Sequence, residues 1–110
     1  WVKAALTKDV SDDSIQQLNI NGCKVALYRC GEEYFATSDV CTHAYALLSD
    51  GWLDGYEIEC PLHGARFDVR TGAALTSPAE TALATYPVRV VGDAVEIDVT
   101  SAPSNPDAST

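Results

Sequence analysis

The chain of 110 residues has no methionine, only two histidines and few aromatics, 8% in all. It is also poor in positive charge, with seven lysines and arginines against sixteen acids and a net charge of −9. So acidic a surface repels phosphate backbones and anionic lipid, which argues against nucleic acid and membrane as partners. It permits steering toward a protein with a basic docking patch, while most of the acids serve to keep a small protein soluble. No stretch approaches the ~20 apolar residues that span a bilayer, and no basic-then-apolar segment opens the sequence. With nothing to signal secretion, the expected compartment is the cytoplasm, where thiols stay reduced. Apolar residues make up 46% and charged residues 21%, as in ordinary globular proteins, and the length suits one domain.

What is present reads as short strands between turn signals. Trp1 to Leu6 is a first strand, and Lys8 to Gln17 is polar with a turn at Ser11-Asp12-Asp13. Asn21-Gly22 joins Leu18-Asn19-Ile20 to Cys23–Tyr28 as a hairpin, because a type I′ turn needs positive φ at both central positions. Gly31-Glu32-Glu33 turns into the strand Tyr34-Phe35-Ala36-Thr37, and this meander ends at Ser38-Asp39-Val40. A loop with a short turn at Tyr45–Leu48 follows. Trp52-Leu53 and Tyr56–Glu59 then form a hairpin about Asp54-Gly55. Arg66–Val69 is a strand, Thr71-Gly72 a turn and Ala73–Leu83 a loop. Ala84–Val91 and Ala94–Val99 form the last hairpin about Gly92-Asp93, with Val95, Ile97 and Val99 alternating inward. About nine strands and no helix of length predict an all-β fold, an antiparallel sandwich or barrel over residues 1–100. The stretch 101–110, built of Ser, Ala, Pro, Asn, Asp and Thr, reads as a flexible tail.

The chemistry sits in the cysteines and histidines. Cys23 and Cys30 bracket a strand-like run and face opposite sides of it, far beyond disulfide reach, so both are read as reduced thiols and small buried hydrophobes. The other two lie in Cys41-Thr42-His43 and Cys60-Pro61-Leu62-His63-Gly64, separated by sixteen residues between His43 and Cys60. Both histidines of the chain are used there. Two thiolates and two imidazoles are a metal-ligand set, and spacing alone leaves two readings open. One is a structural Cys2His2 zinc site, although zinc fingers group Cys with Cys and His with His. The other is a two-iron cluster with one iron on sulfur and one on nitrogen, gripped by two loops that each supply one of each.

At this point the sequence resembles a known family. Cys41-Thr42-His43-Ala44, the spacer and Cys60-Pro61-Leu62-His63-Gly64 are similar to the Rieske [2Fe–2S] motif, most closely in the small ferredoxins of bacterial aromatic ring-hydroxylating dioxygenase systems. Likeness extends to Tyr34–Thr37, Leu53-Asp54-Gly55, Arg66–Val69, Thr71-Gly72 and Tyr86-Pro87-Val88. The resemblance implies one [2Fe–2S] cluster, held by Cys41 and Cys60 on the inner iron and by His43 and His63 on the outer. It also implies a two-loop cluster-binding subdomain at about residues 41–78. Pro78, in Thr76-Ser77-Pro78-Ala79, sits where the family places a third covering loop. Pro61 stiffens the second loop, while Ala44 and Gly64 are small where backbone passes the cluster.

The high-potential respiratory members of that family carry a serine after the second-loop glycine and a tyrosine two positions later. Here those positions are Ala65 and Phe67. Reduction adds a negative charge, so missing hydroxyl donors disfavour the reduced form. At ~1 kcal/mol each, the two losses lower the potential by roughly 80–90 mV. Ala46 and Leu62 stand where such members have a disulfide between the loops. What the resemblance implies is thus a low-potential one-electron carrier between a flavin-containing, NAD(P)H-dependent ferredoxin reductase and a terminal aromatic-ring dioxygenase. No third histidine remains for an oxygen-activating iron or a catalytic base, so the chain is read as an electron-transfer component and not an enzyme. The rival within the fold is the small Rieske-like subunit of an assimilatory nitrite reductase. Ala44, Tyr45, Leu62 and Pro78 are the expected apolar rim about the histidine edges.

Overall fold

The computed structural model describes residues 1–20, 22–41, 46–61, 64–75 and 82–99. Ten strands are present among them, and they form three antiparallel sheets. The first contains β1 (Val2–Leu6), β10 (Ala94–Ile97) and β9 (Val88–Val91), in the order β1-β10-β9. The second, β2-β3-β4-β8, is built from Ile15–Ile20, Cys23–Cys30, Glu33–Ser38 and Thr85–Tyr86. The third, β5-β6-β7, comprises Trp52–Asp54, Glu57–Glu59 and Arg66–Asp68. Two short 3-10 turns, Thr7–Asp9 and Leu48–Asp50, are the helical elements among the described residues. No helix there is long and apolar enough to cross a membrane.

Strand β3 explains how the sheets share a core. Its side chains alternate in direction, and it is buried on both faces. Ala26, Tyr28 and Cys30 join a buried cluster with Cys41, Leu48, Ile58, Cys60, Ala65, Phe67, Val69 and Leu83. Val25 and Leu27 join another with Val10, Ile20, Ala36, Val95 and Ile97. One strand therefore separates the core that carries both motif cysteines from the core that carries the terminal hairpin. Cys23 and Cys30 fall on opposite sides, as alternation requires, and all four cysteines are free. Cys30 is buried, but Cys23 is only half-buried, less than its reading as a buried hydrophobe expects.

Several boundaries differ from the sequence reading. Ile15–Gln17, read as polar loop, begins β2, with Ile15 opposite Tyr28. Its alternation was hidden by the two glutamines. The β5–β6 turn is Gly55-Tyr56, one residue later than expected, since Asp54 pairs with Glu57. Gly55 there has φ 61°, a left-handed conformation that costs glycine little. The run Ala84–Val91 is not one strand. Tyr86 pairs with Ala36 of β4 and Val88 with Ile97 of β10, so the chain changes sheets at Pro87. Proline has no N–H to give a ladder, and its carbonyl instead accepts from the Asp98 amide at 3.0 Å. The terminal hairpin keeps its expected turn, with Ala94 opposite Val91 and both Val95 and Ile97 buried. Stretch 101–110 and Asn21 lie outside the described residues.

Gly51 is needed for space rather than for conformation. A β-carbon there would overlap the Glu59 carbonyl oxygen, in the strand that leads into Cys60. Gly51→Ala is expected to destabilise the protein by about 3 kcal/mol through this overpacking. Gly22→Ala, whose β-carbon meets open space at φ 86°, should cost only about 1 kcal/mol. Denaturant unfolding of both variants measures the difference.

Candidate metal centre

The two motif loops are built alike. Strand β4 runs through Ser38 to Val40, which bridges antiparallel to Leu47, and the Cys41 amide donates to the Ala46 carbonyl at 2.9 Å. Strand β6 ends at Glu59, which pairs with Arg66 of β7, and the Cys60 amide donates to the Ala65 carbonyl at 2.7 Å. Each cysteine thus opens a hairpin loop and closes it by one hydrogen bond to the carbonyl five residues on. Gly64, at φ 70°, completes the second loop in a left-handed conformation.

Both thiols are withdrawn from solvent, Cys41 at 4% exposure and Cys60 at 0%, and they enter the same apolar cluster. Ala65 and Phe67, the positions where hydroxyl donors were expected to be missing, are fully buried in that cluster. Ala46 packs against it. Thr42, His43, Ala44, Tyr45, Leu62, His63 and the 76–81 segment with Pro78 lie outside the described residues. Among the described residues no three of His, Cys, Asp and Glu come together, since both histidines fall in those stretches.

The first loop rests on a group that the sequence reading passed over. Asp39 is fully buried two residues before Cys41. Its carboxylate accepts from the Ser49 amide at 2.7 Å, from the Ser49 hydroxyl at 2.8 Å and from Gln17 Nε2 at 3.2 Å. Its backbone is held as well, the Asp39 amide donating to Lys24 and its carbonyl accepting from Leu48. These bonds tie β2, β3 and the 3-10 turn at Leu48–Asp50 to the root of the Cys41 loop. In sequence, Asp39 is simply a polar residue at a strand end. Nothing in the spacing reveals that its partners lie ten and twenty-two residues away.

Tyr28 flanks the thiols from β3. Thr37 Oγ1 spends its proton on the Ser38 carbonyl, so the Tyr28 hydroxyl is the donor to Thr37 at 2.9 Å. Burial pushes this phenol far above its ordinary range, opposed by the Thr37 hydrogen bond and reinforced by Asp39 and Cys30. It stays neutral. Cys30 donates to the Gly55 carbonyl at 3.2 Å, which ties β3 to the β5–β6 turn. Burial first, then the Asp13, Glu33 and Asp12 carboxylates, push its thiol up from 9.0 to about 11, with Arg70 opposing.

Chemically, a pair of buried, unbridged cysteines in an apolar core suits a soft metal centre. Thiolate charge in such surroundings is costly unless a cation neutralises it. The donor set fits an iron–sulfur group on this ground.

The comparisons agree. A family model described as the Rieske [2Fe-2S] domain matches residues 1–87. The ferredoxin component of the naphthalene 1,2-dioxygenase/salicylate 5-hydroxylase systems of Ralstonia sp. is 46% identical over 90 residues, 82% of this chain and 86% of that protein. Among solved structures, a chain of the complex of reduced oxygenase and oxidized ferredoxin in carbazole 1,9a-dioxygenase superposes with TM-score 0.85 at 40% identity, over 88% of this chain and 91% of that one. A nitrite reductase NADPH small subunit superposes with TM-score 0.75 at 25% identity, over 89% and 97%.

Two outcomes follow for these side chains. Asp39→Ala should cost about 3 kcal/mol, because it strands buried donors that had a charged partner. Denaturation followed by circular dichroism measures this. For Cys30, the unfolded thiol ionises at lower pH than the folded one. Its contribution to stability is therefore present below pH 9 and lost as pH rises toward 11. Iodoacetamide should leave Cys30 unlabelled at about pH 8 in the folded protein, as peptide mass spectrometry would show.

Proposed function

The chain belongs to the Rieske [2Fe–2S] domain family, and from that premise we propose how its residues hold the cluster and whom the protein serves. The cofactor is one Rieske-type [2Fe–2S] cluster, and the role is that of an electron carrier of the dioxygenase type. Cys41 and Cys60 are the thiolate ligands of the inner iron, and His43 and His63 are the imidazole ligands of the outer iron. The observation that carries this assignment is the matched pair of loops. Both open on a buried cysteine, close by the same backbone bond and bring their thiols into one core. His43 follows two residues after Cys41 and His63 three after Cys60, inside those loops. When bound, the cluster supplies one reversibly held electron.

The chain's own residues set the conditions of that exchange. The apolar core around Cys41 and Cys60 keeps water from the sulfurs. Ala65 and Phe67 offer no hydroxyl to them, which favours the oxidised form and a low potential. Electrons come from an NAD(P)H-dependent flavin reductase and go to a terminal aromatic-ring dioxygenase. They pass at the loop tip through His43 or His63, with Ala44, Tyr45, Leu62 and Pro78 as rim. The protein itself performs no substrate chemistry. The Rieske domain occupies residues 1–100, with 41–78 as its cluster-binding part and 101–110 as tail, and its compartment is the cytoplasm, in keeping with free cysteines. The nitrite reductase reading has weaker support, at 25% identity against 46%.

EPR of the dithionite-reduced protein with a redox titration tests this reading. A rhombic signal of low average g and a potential below zero are expected. A colourless protein holding one zinc would sink it. Ala65→Ser should raise the potential by about 40 mV, the equivalent of one hydrogen bond of ~1 kcal/mol.

A further inference from the structure

The outer face of the β5-β6-β7 sheet has a composition that neither the fold nor the cluster requires. Register places Trp52, Glu59 and Arg66 in one row across the sheet and Asp54, Glu57 and Asp68 in another. The row between them, Leu53, Ile58 and Phe67, faces the core, so the two outer rows share the opposite face. Trp52 is 60% exposed, more than any other large apolar side chain among the described residues. An indole left this exposed forgoes much of the stabilisation that burial would give it.

The charges on this face are uneven. Arg66 lies 3.7 Å from Asp54, 3.3 Å from Glu57 and 2.9 Å from Glu59, so three carboxylates share one guanidinium. Asp68 is paired with Arg70 at 2.9 Å. The face therefore keeps an excess of two negative charges beside the indole, within a chain of net charge −9. Its position matters too. Trp52 stands opposite Glu59, and Glu59 precedes Cys60, which puts the Trp52 and Cys60 α-carbons within about 10 Å of each other.

We propose that this face, with Trp52 as its anchor, docks a redox partner that presents an apolar pocket rimmed by lysine or arginine. An exposed tryptophan on a sheet face with excess negative charge is the complement of such a pocket, and buried indoles are recurrent centres of binding energy. A second copy of the chain would set acid against acid, and phosphate-rich surfaces are repelled in the same way. The contact lies beside the strand that leads into Cys60. It orients the partner over the cluster-bearing loops through strands rigidly joined to Cys60. The proposal rests on the electron-carrier reading above.

Stopped-flow reduction by the flavin reductase and delivery to the oxygenase, using the full-chain holoprotein at low and high salt, tests it. Wild-type rates measure the carrier reading itself, and the ratio of variant to wild type measures the docking face. Trp52→Ala should lower the second-order rate with at least one partner about ten-fold or more, and Trp52→Phe should restore most of it. Asp54→Lys, at a side chain 82% exposed, should slow the same reaction and flatten its salt dependence. Val91→Ala, an exposed apolar change in the β1-β10-β9 sheet, should leave both rates alone. Visible and EPR spectra identical to wild type establish that the cluster is intact in each. Unchanged rates with both partners for Trp52→Ala and Asp54→Lys overturn the proposal. So does sedimentation showing a dimer that Trp52→Ala dissolves, which would assign the face to a second copy.

Discussion

Strand β3 is buried on both faces, and most of the architecture follows from that constraint. Its even positions, Ala26, Tyr28 and Cys30, wall the core that receives Cys41 and Cys60, while Val25 and Leu27 wall the core under the terminal hairpin. A strand with two dry faces must be covered on both sides by other elements. The β1-β10-β9 sheet provides residues on one side, and β5-β6-β7 with its flanking loops provides them on the other. The chain reaches the first of these by changing sheets at Pro87, where no ladder donor exists to hold it back.

The loops that open at Cys41 and Cys60 are rooted in this arrangement. Each is closed by a backbone hydrogen bond from its cysteine and held by strands whose register is set by burial. The Cys41 loop is further pinned by Asp39, whose buried carboxylate gathers donors from β2 and from the 3-10 turn. In the proposed ligand assignment such anchoring matters, because ligands that scarcely move when one electron arrives keep the energetic cost of transfer small. Stability and function thus draw on the same hydrogen bonds near Cys41. On the outer sheet face the proposed roles separate, with Trp52 and the acids that share its face serving recognition rather than folding.

Much of this was legible in the residues. Alternating apolar runs between Asn-Gly, Gly-Glu and Gly-Asp turns marked the hairpins, and the paired Cys–His clusters pointed to a metal centre. Errors arose where local pattern and tertiary context disagreed. Gln16 and Gln17 hid the start of β2, since successive strand residues face opposite sides and the pair put a polar residue on each. Continuous β-type residues on both sides of Pro87 concealed a change of sheet, because pairing partners are not encoded in the run itself. The turn at Gly55-Tyr56 was misplaced by one residue, as Asp-Gly is the commoner signal but register is decided by burial of Leu53 and Ile58.

The sequence by itself determined the paired cysteines and histidines, their spacing and the lack of hydroxyls at positions 65 and 67, because these are properties of side chains and of short chain intervals. It also determined the net charge of −9. Only the tertiary structure decided that the Cys41 and Cys60 loops are closed by equivalent bonds, that Asp39 supports one of them and that Trp52 shares an exposed face with Asp54, Glu57 and Glu59. Each of these depends on residues far apart in the chain. They become neighbours only when burial sets the register of the strands that carry them.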